Sequence, residues 1–118
     1  MNIKSEQIVG PKRKARKIGI SGDTRPTMEL ERFFSDSDIL IFESTYSQNN
    51  HENAVRTFHS TAIEAASLAK ASRARILFLT HFSSRYKDPS ALLSEAKSIH
   101  DDVELAEDLK IINVPYTQ

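Results

Sequence analysis

The 118-residue sequence contains no cysteine. This absence excludes a disulfide, a thiolate metal site and a thiol nucleophile. It leaves histidine, aspartate and glutamate as the strong metal ligands that the chain can offer. A cysteine-free sequence also fits a reducing compartment, so we expect a cytoplasmic protein.

Long hydrophobic runs are absent as well. No apolar stretch approaches the roughly 18 residues that a membrane-spanning helix needs, and we expect neither a membrane segment nor a signal peptide. The sequence shows no internal repeat and no low-complexity segment. Its 39% hydrophobic and 27% charged residues are typical of a globular protein, and 118 residues suffice for one domain at most.

The net charge is zero, but the basic residues are unevenly distributed. Residues 1–17 hold six basic side chains and one acidic side chain, which gives this segment a charge of +5. We therefore separate a basic N-terminal segment, residues 1–16, from a folded unit at residues 17–118. The cluster from Lys12 to Lys17 either contacts nucleic-acid phosphates or forms a solvated arm.

The order of apolar runs and helical patterns predicts an α/β layer. Strands are predicted at residues 17–21, 39–43 and 76–80, and at the pair 103–106 and 109–114, which a short polar turn separates. A helix at about 27–34 is predicted to bury Leu30, Phe33 and Phe34.

Two further helices have clear start signals. Thr61 and Glu64 form the T-x-x-E pattern of a capping box for a helix at 61–72, whose alanines recur at helical spacing. Asp88 is predicted to be the N-cap of the next helix, with Pro89 at its first helical position. An apolar stripe follows at Leu92, Leu93, Ala96 and Ile99.

Polar side chains follow each of the first three predicted strands. Ligands bind at the carboxyl edge of open α/β sheets, so Asp23, Glu43, His59 and His81 could converge there, as a metal-assisted hydrolase requires. Each side chain also has an ordinary structural alternative. Asp23 could be a turn former, and the two histidines could simply be hydrogen-bonded or packed.

Glu43 ends an apolar strand, so we expect it to be partly buried and to need a partner such as an imidazole. A Glu–His pair would hold the imidazole tautomer and favour its protonated form, which makes the histidine a candidate general acid. His51 and His100 lie in polar surroundings, and we interpret both as surface residues.

The segments "GDTRP", "FEST", "FHSTAIEAASLA" and "LTHFSSRYKDP" together resemble the C-terminal part of ribonuclease Z. This enzyme is the tRNA 3′-processing endonuclease of the metallo-β-lactamase superfamily. The resemblance runs from about Ile8 to Pro115. A lone "GDT" would be a weak signal, but the order and spacing of the whole set are specific.

The resemblance implies a role for each site residue. Asp23 would be a bridging zinc ligand and His81 a terminal ligand, while Glu43 and His59 would protonate the leaving 3′ oxygen. Ser83 and Arg85 would hold phosphate, a task that suits the planar fork of arginine. The complete enzyme would hold two zinc ions, which would lower the pKa of the attacking water and offset charge on the phosphodiester.

The sequence departs from the family pattern at several places. The usual His-Glu-Ala-Thr motif has Phe42 and Ser44 at its first and third positions, while Glu43 and Thr45 remain. Leu109 replaces the glycine that usually follows "AED", so we expect an altered last turn. The His-x-His-x-Asp-His motif, which supplies most zinc ligands in the family, does not occur in these residues.

The resemblance therefore implies the C-terminal half of a metallo-β-lactamase αβ/βα sandwich, with a mixed sheet and about three helices. We expect a segment of a zinc-dependent tRNA 3′ endoribonuclease that acts on tRNA precursors and is inactive alone. Its sheet would expose an apolar face for a missing N-terminal half or for self-association. The alternatives are another phosphodiesterase of the superfamily and a catalytically silent partner-binding or oligomerisation module.

Overall fold

The computed structural model of the chain describes residues 15–107. Four strands form one sheet, namely β1 (Ile18–Ile20), β2 (Ile39–Glu43), β3 (Ile76–Thr80) and β4 (Val103–Leu105). The α-helices in this part of the chain are α1 (Met28–Phe33), α2 (His51–Thr57), α3 (Ala62–Ala71) and α4 (Ser90–Lys97). A short 3-10 helix, Gln48–Asn50, leads into α2.

The strand order is β1-β2-β3-β4, and every neighbouring pair is parallel. The α/β prediction is confirmed, and β2 and β3 have the predicted bounds. The described sheet therefore contains no antiparallel pair of the kind that a mixed sheet requires. Because the strands run the same way, the segments that follow β1, β2 and β3 meet at one edge of the sheet.

Three sequence predictions concern residues that are wholly or largely undescribed. The strand predicted at 109–114 and the altered turn at Leu109 lie outside residues 15–107. The basic segment 1–16 also lies outside, except for its last two positions.

The core lies between the sheet and helices α1, α3 and α4. Side chains alternate between the faces of a strand, so each strand sends every second residue toward this core. The core-facing residues Leu40, Phe42, Leu77 and Leu79 are fully buried. Burial of each such side chain contributes about 1.5–3 kcal/mol relative to its exposure.

Helix α3 begins with the predicted capping box. The Thr61 hydroxyl accepts a hydrogen bond from the Glu64 amide at 3.1 Å, and the Glu64 carboxylate accepts one from the Thr61 amide at 3.0 Å. Four of its five alanines, Ala62, Ala65, Ala66 and Ala69, are buried, and their small side chains let the helix backbone approach the sheet closely. The cap therefore fixes the start of α3 at the carboxyl edge of the sheet.

Only one of the two phenylalanines predicted for the core is buried, and it is the C-cap residue of α1. Phe34 is buried and meets the Phe42 ring edge-on at a centroid distance of 6.3 Å, whereas Phe33 is 70% exposed. The prediction for Phe33 is wrong because adjacent helical residues point in different directions. Gly19 makes room for Phe34, since a Cβ atom there would lie 2.5 Å from its ring. Leu30 is partly buried against the same core.

The predicted start of α4 is displaced by one residue. Pro89 occupies the N-cap position, and the first helical residue is Ser90. The Asp88 carboxylate still accepts a hydrogen bond from the Ser90 amide at 3.0 Å, so it caps the helix from one position further out. The predicted apolar stripe packs on the core, with Leu92 and Ala96 fully buried.

Helix α2 was not predicted from the sequence. Only Ala54 among its seven residues is buried, so the segment has no apolar stripe of helical period that would reveal it. The helix ends at Thr57, and its C-cap residue Phe58 has the left-handed backbone conformation with φ of 61° and is exposed.

The predicted open apolar surface is seen at β1. Ile18 is 53% exposed and Ile20 is 66% exposed, on the sheet face opposite the helices. On the same face, Ile39 of β2 and Phe78 of β3 are buried. On this face of the described sheet, the exposed apolar surface is therefore concentrated on β1. None of the helices among residues 15–107 has the length and hydropathy needed to span a bilayer.

Candidate active site

Four of the predicted site residues lie at the carboxyl edge of the sheet. Asp23 lies in the loop after β1, Glu43 ends β2 and His81 directly follows β3, while His59 lies just before the cap of α3. The ligand atoms of Asp23, His59 and His81 all lie within 4.8 Å of one another. The fold therefore brings together residues that are up to 58 positions apart in the sequence.

The Glu43 carboxylate is almost completely buried, with only 1% of its side chain exposed. Its Oε1 atom accepts hydrogen bonds from the backbone amides of Thr24 at 3.1 Å and Ser60 at 3.0 Å. Its Oε2 atom accepts from the amide of Thr45 at 3.1 Å and from the hydroxyl of the same residue at 2.6 Å. These donors offset the cost of burying a charged group.

The imidazole of His59 completes this set of partners. Its Nδ1 atom lies 2.9 Å from Glu43 Oε1, and 19% of its side chain is exposed. An ionised carboxylate only accepts hydrogen bonds, so the proton between them belongs to His59 Nδ1. The histidine can therefore use Nε2 for chemistry at the site while Nδ1 holds its orientation.

Thr45 joins both histidines to Glu43. Its Oγ1 atom lies 2.9 Å from His81 Nδ1 and 3.2 Å from His59 Nδ1. The single hydroxyl proton is directed to Glu43, so the oxygen accepts the Nδ1 proton of His81. This network assigns the Nδ1–H tautomer to both imidazoles and leaves both Nε2 atoms available.

The Nε2 atom of His81 points toward Asp23, with 3.8 Å between it and the Oδ1 atom of that carboxylate. The rings of His59 and His81 are stacked, with centroids 5.3 Å apart and an angle of 15° between their planes. His81 has φ of 57°, a left-handed conformation that histidine adopts more readily than most residues. The strand thus turns sharply at the point where the imidazole enters the site.

Tyr46 lies between the histidines and the predicted phosphate-binding residues. The Arg85 guanidinium stands over its ring at 5.2 Å from the centroid, and the His59 ring approaches it edge-on at 6.3 Å. The Ser83 amide donates to the Thr45 carbonyl at 2.9 Å, and the Ser83 hydroxyl accepts from the Arg85 amide at 3.3 Å. These contacts hold the loop after β3 against the loop after β2.

Sequence reasoning gave no role to Thr45 or Tyr46. The spacing of Thr45 two positions after Glu43 is a usable signal, because a hydroxyl at that distance can reach back to a carboxylate that ends a strand. Tyr46 offers no comparable signal. Its position between Arg85 and His59 depends on three separate loops.

Of the other two histidines, His51 is partly exposed, in keeping with the surface interpretation, whereas the ring of His100 is partly enclosed. His51 starts α2 and is half-buried, with Nε2 at 3.2 Å from the Glu64 carboxylate. The Nε2 atom of His100 is enclosed and has no hydrogen-bond partner within the described part of the chain. The surface interpretation therefore fails for the ring nitrogen of His100, because polar neighbours in the sequence do not imply exposure in the fold.

The donor set suits the metal that the sequence resemblance implies. Asp23 offers a carboxylate oxygen and His81 an imidazole nitrogen, both of which are zinc ligands, and His59 is the third ligand-type side chain in the group. The fold alone brings their ligand atoms within 4.8 Å of one another. The residues therefore fit a zinc site in part, since a catalytic zinc takes about three protein ligands.

Comparisons with known proteins show that the chain is similar in sequence to ribonuclease Z. No family model matches the sequence. Ribonuclease Z of Nitrosopumilus maritimus is 51% identical over 112 residues, which cover 95% of this chain and 38% of the relative. The chain thus spans about two fifths of the length of the curated relatives that it matches.

Solved structures agree with this likeness. The crystal structure of the short form of human tRNase Z has a TM-score of 0.67 and 35% identity, and the match covers 85% of this chain and 34% of that one. A metallo-β-lactamase fold protein from Bacillus subtilis has a TM-score of 0.70 at 24% identity, covering 76% of this chain and 36% of that one.

Proposed function

We propose that the chain is the part of a metal-dependent tRNA 3′ endoribonuclease that carries its proton donor. Two findings support this proposal: the chain has part of the metallo-β-lactamase fold, and it is similar to the C-terminal part of ribonuclease Z. The proposed reaction is hydrolysis of a phosphodiester in a tRNA precursor. Water attacks phosphorus, the bond to the 3′ oxygen breaks, and the tRNA keeps a 3′ hydroxyl group.

The observation that carries this proposal is the pairing of Glu43 with His59 beside Asp23 and His81. A buried carboxylate that orients an imidazole is the usual arrangement for a positioned proton donor. Asp23 and His81 offer ligands of the correct type a few ångströms away. The resemblance to ribonuclease Z implies these roles, and the geometry supports them because it gives each residue a distinct environment.

The proposal gives His59 the role of general acid. The protonated imidazole donates its Nε2 proton to the leaving 3′ oxygen. The neutral ring that remains keeps its proton on Nδ1, which donates a hydrogen bond to Glu43. Glu43 stabilises the imidazolium electrostatically and holds the ring in place. Such proton transfer accelerates a reaction by about 10²- to 10⁴-fold.

Asp23 and His81 are the proposed zinc ligands. When bound, the metal supplies positive charge that offsets the negative charge developing on the phosphodiester. His81 presents Nε2 because its Nδ1 proton is held by Thr45. Such an outer hydrogen bond fixes the orientation of a ligating imidazole and raises its basicity.

Ser83 and Arg85 are proposed to hold phosphate oxygens of the substrate. Both lie in the loop after β3, next to His81. The Tyr46 ring supports the Arg85 guanidinium from one side, which limits its freedom before the substrate arrives. The planar fork can then bind two phosphate oxygens at once.

A partner-binding role is the second candidate, and the exposed isoleucines of β1 favour it. In this proposal the open face receives either a chain that supplies the remaining metal ligands or a second copy of this chain. The two proposals are compatible, because a chain with two zinc ligands needs further ligands before it can cleave RNA.

The proposed function is tested by a chimera in which this chain replaces the matching segment of the N. maritimus relative. The chimera should cleave a tRNA precursor in a zinc-dependent manner, whereas the isolated chain should be inactive and bind zinc weakly. A zinc-loaded chimera that folds but leaves the precursor intact would contradict the proposal. Zinc-dependent cleavage by the isolated chain would refute the predicted incompleteness of its site.

A further inference from the structure

Arg25 lies in the loop after β1, two positions beyond Asp23. Its side chain binds Glu64 at the start of α3 and the backbone of His59. Its Nη1 and Nη2 atoms donate to the two carboxylate oxygens of Glu64, each at 2.6 Å. Nη1 also donates to the backbone carbonyl of His59 at 2.8 Å. One guanidinium thus connects the metal-ligand loop to both the cap of α3 and the candidate proton donor.

Glu64 is held by several partners at once. Besides the bonds from Arg25, it accepts one hydrogen bond from the Thr61 amide in the capping box, and its Oε2 atom lies 3.2 Å from His51 Nε2. Burial alone would raise the pKa of Glu64, but the bonds from Arg25 and Thr61 and the nearby positive charge outweigh it and lower the pKa. The carboxylate therefore remains ionised and available to Arg25 at neutral pH.

The Arg25–Glu64 pair is largely shielded from solvent, with 25% and 16% of the two side chains exposed. The Arg73–Asp36 pair also has two hydrogen bonds, from Nε and Nη2, but is 73% and 53% exposed. It joins residues near the amino ends of β2 and β3, at the opposite edge of the sheet. This second pair is a matched control for an effect that is local to the site.

We propose that Arg25 is a positioning residue for His59. The inference rests on the proposed function, since it assumes that the orientation of His59 matters for proton transfer. Arg25 holds the carbonyl of the same residue whose imidazole must meet Glu43. It does so from the loop that carries Asp23, so it also fixes the distance between the proton donor and the metal ligand.

A purely structural role would require only the ion pair with Glu64. The bond to the His59 carbonyl adds nothing to the cap of α3, because the Thr61 and Glu64 bonds already complete that cap. The His59 backbone is otherwise held by the bond from its amide to the Ala54 carbonyl, and the neighbouring Ser60 amide is bound to Glu43. Arg25 supplies the hydrogen bond on the carbonyl side.

The test uses the 118-residue chain, labelled with ¹⁵N in its histidine side chains. NMR spectra are recorded at one fixed alkaline pH, chosen so that the ¹⁵N signals of the wild-type chain are those of neutral imidazoles. The ¹⁵N signals then report which ring nitrogen of His59 carries the proton. The variants are Arg25→Ala, Arg25→Lys and the control Arg73→Ala, and thermal unfolding of each is measured in parallel.

In the wild-type chain and in Arg73→Ala, His59 should be a single Nδ1–H tautomer. Arg25→Ala should give a mixture in which the Nε2–H tautomer reaches at least about one tenth of the population, a shift that corresponds to a preference of about 1.4 kcal/mol or less. Arg25→Lys should recover most of the thermal stability but keep the tautomer mixture, because an ammonium lacks the planar fork that reaches both partners.

An unchanged His59 tautomer in a folded Arg25 variant would overturn the inference and leave the proposed function intact. Arg25→Lys decides this if Arg25→Ala does not fold. A wild-type His59 that carries its proton on Nε2 would instead contradict both the positioning role and the proposed pairing with Glu43. Equal tautomer changes in the Arg25 and Arg73 variants would show a general loss of structure and also overturn the inference.

Discussion

At the scale of single residues, the site depends on one hydroxyl group that serves three partners. Thr45 donates to Glu43 and accepts from His81, with His59 within reach of the same oxygen. A side chain without a hydroxyl would leave the imidazole donor of His81 without this acceptor. It would also remove one of the donors that stabilise a carboxylate with 1% exposure.

Thr45→Val should therefore destabilise the folded chain although it preserves shape. The expected loss is about 1–3 kcal/mol in the free energy of unfolding, the cost of removing a hydrogen-bond partner from a buried polar group. Thr45→Ser keeps the hydroxyl and should lose markedly less. Urea denaturation of the three proteins measures the difference, and equal stability of the Val variant and the wild type would contradict the role of the hydroxyl.

Arg85 provides a second prediction at this scale. In the chimera with the relative, Arg85→Lys should raise KM for the tRNA precursor by about tenfold, equivalent to about 1.4 kcal/mol, because lysine lacks the two-point fork. Arg75→Lys changes an exposed arginine at the opposite edge of the sheet and serves as the control. Steady-state kinetics decide the matter, and wild-type kinetics for Arg85→Lys would remove this residue from the phosphate site.

At the scale of elements, α3 shows how much the sequence could reveal. The capping box at Thr61 and Glu64 is a local pattern, so both the helix and its start could be predicted before the structure was known. Glu64 also interacts with Arg25 and His51, which lie 39 and 13 positions from it in the sequence. No local sequence pattern predicts such contacts. The same reasoning explains why Glu43 was expected to find an imidazole while the bridging role of Thr45 was not.

Helices α1 and α2 are elements that hydrophobic periodicity in the sequence could not fully predict. Helix α1 has six residues, too few for the pattern to decide which of two adjacent phenylalanines faces the core. Helix α2 buries a single alanine, so hydrophobic spacing could not reveal it. Longer or fully buried elements, such as β2 and β3, were located with the correct bounds because each is a continuous apolar run.

The lowered pKa of Glu64 predicts an acid-sensitive contribution to stability. A carboxyl group whose pKa is lower in the folded chain stabilises it above the ordinary pKa of 4.5, and this contribution is lost as the pH falls through the folded value. The free energy of unfolding of the wild-type chain should therefore decrease on acidification below about pH 5.

The variant Glu64→Gln should be less stable near neutral pH and should depend less on pH in this acidic window. Glu29→Gln, which changes an exposed glutamate of α1, should keep the wild-type slope. Urea denaturation at several pH values gives the comparison. An acid profile of Glu64→Gln that parallels the wild type would contradict the role assigned to this carboxylate.

At the scale of the whole molecule, the described residues form one parallel sheet with helices packed on one face and an outer strand that exposes two isoleucines. Exposed apolar side chains on an outer strand favour association through that strand. We therefore predict that the isolated chain self-associates in solution, and that Ile18→Lys combined with Ile20→Lys converts it to a monomer.

Sedimentation velocity over a range of protein concentrations measures this change. Phe33→Lys is the matched control, because it replaces a large side chain of similar exposure at the end of α1 and should leave the association unchanged. A wild-type chain that is monomeric at all concentrations would contradict the prediction, and an association that survives the double substitution would place the interface elsewhere.

The two stacked histidines, His59 and His81, have different proposed roles, and the most direct test compares the effects of removing each imidazole. In the chimera, His59→Ala should keep the wild-type zinc content while single-turnover cleavage slows by about 10²- to 10⁴-fold. His81→Ala should lose zinc together with activity, because it removes a proposed metal ligand. Metal analysis alongside single-turnover rates supplies both numbers. If His59→Ala also loses zinc, His59 is a metal ligand and the proposed proton-donor pair with Glu43 is wrong.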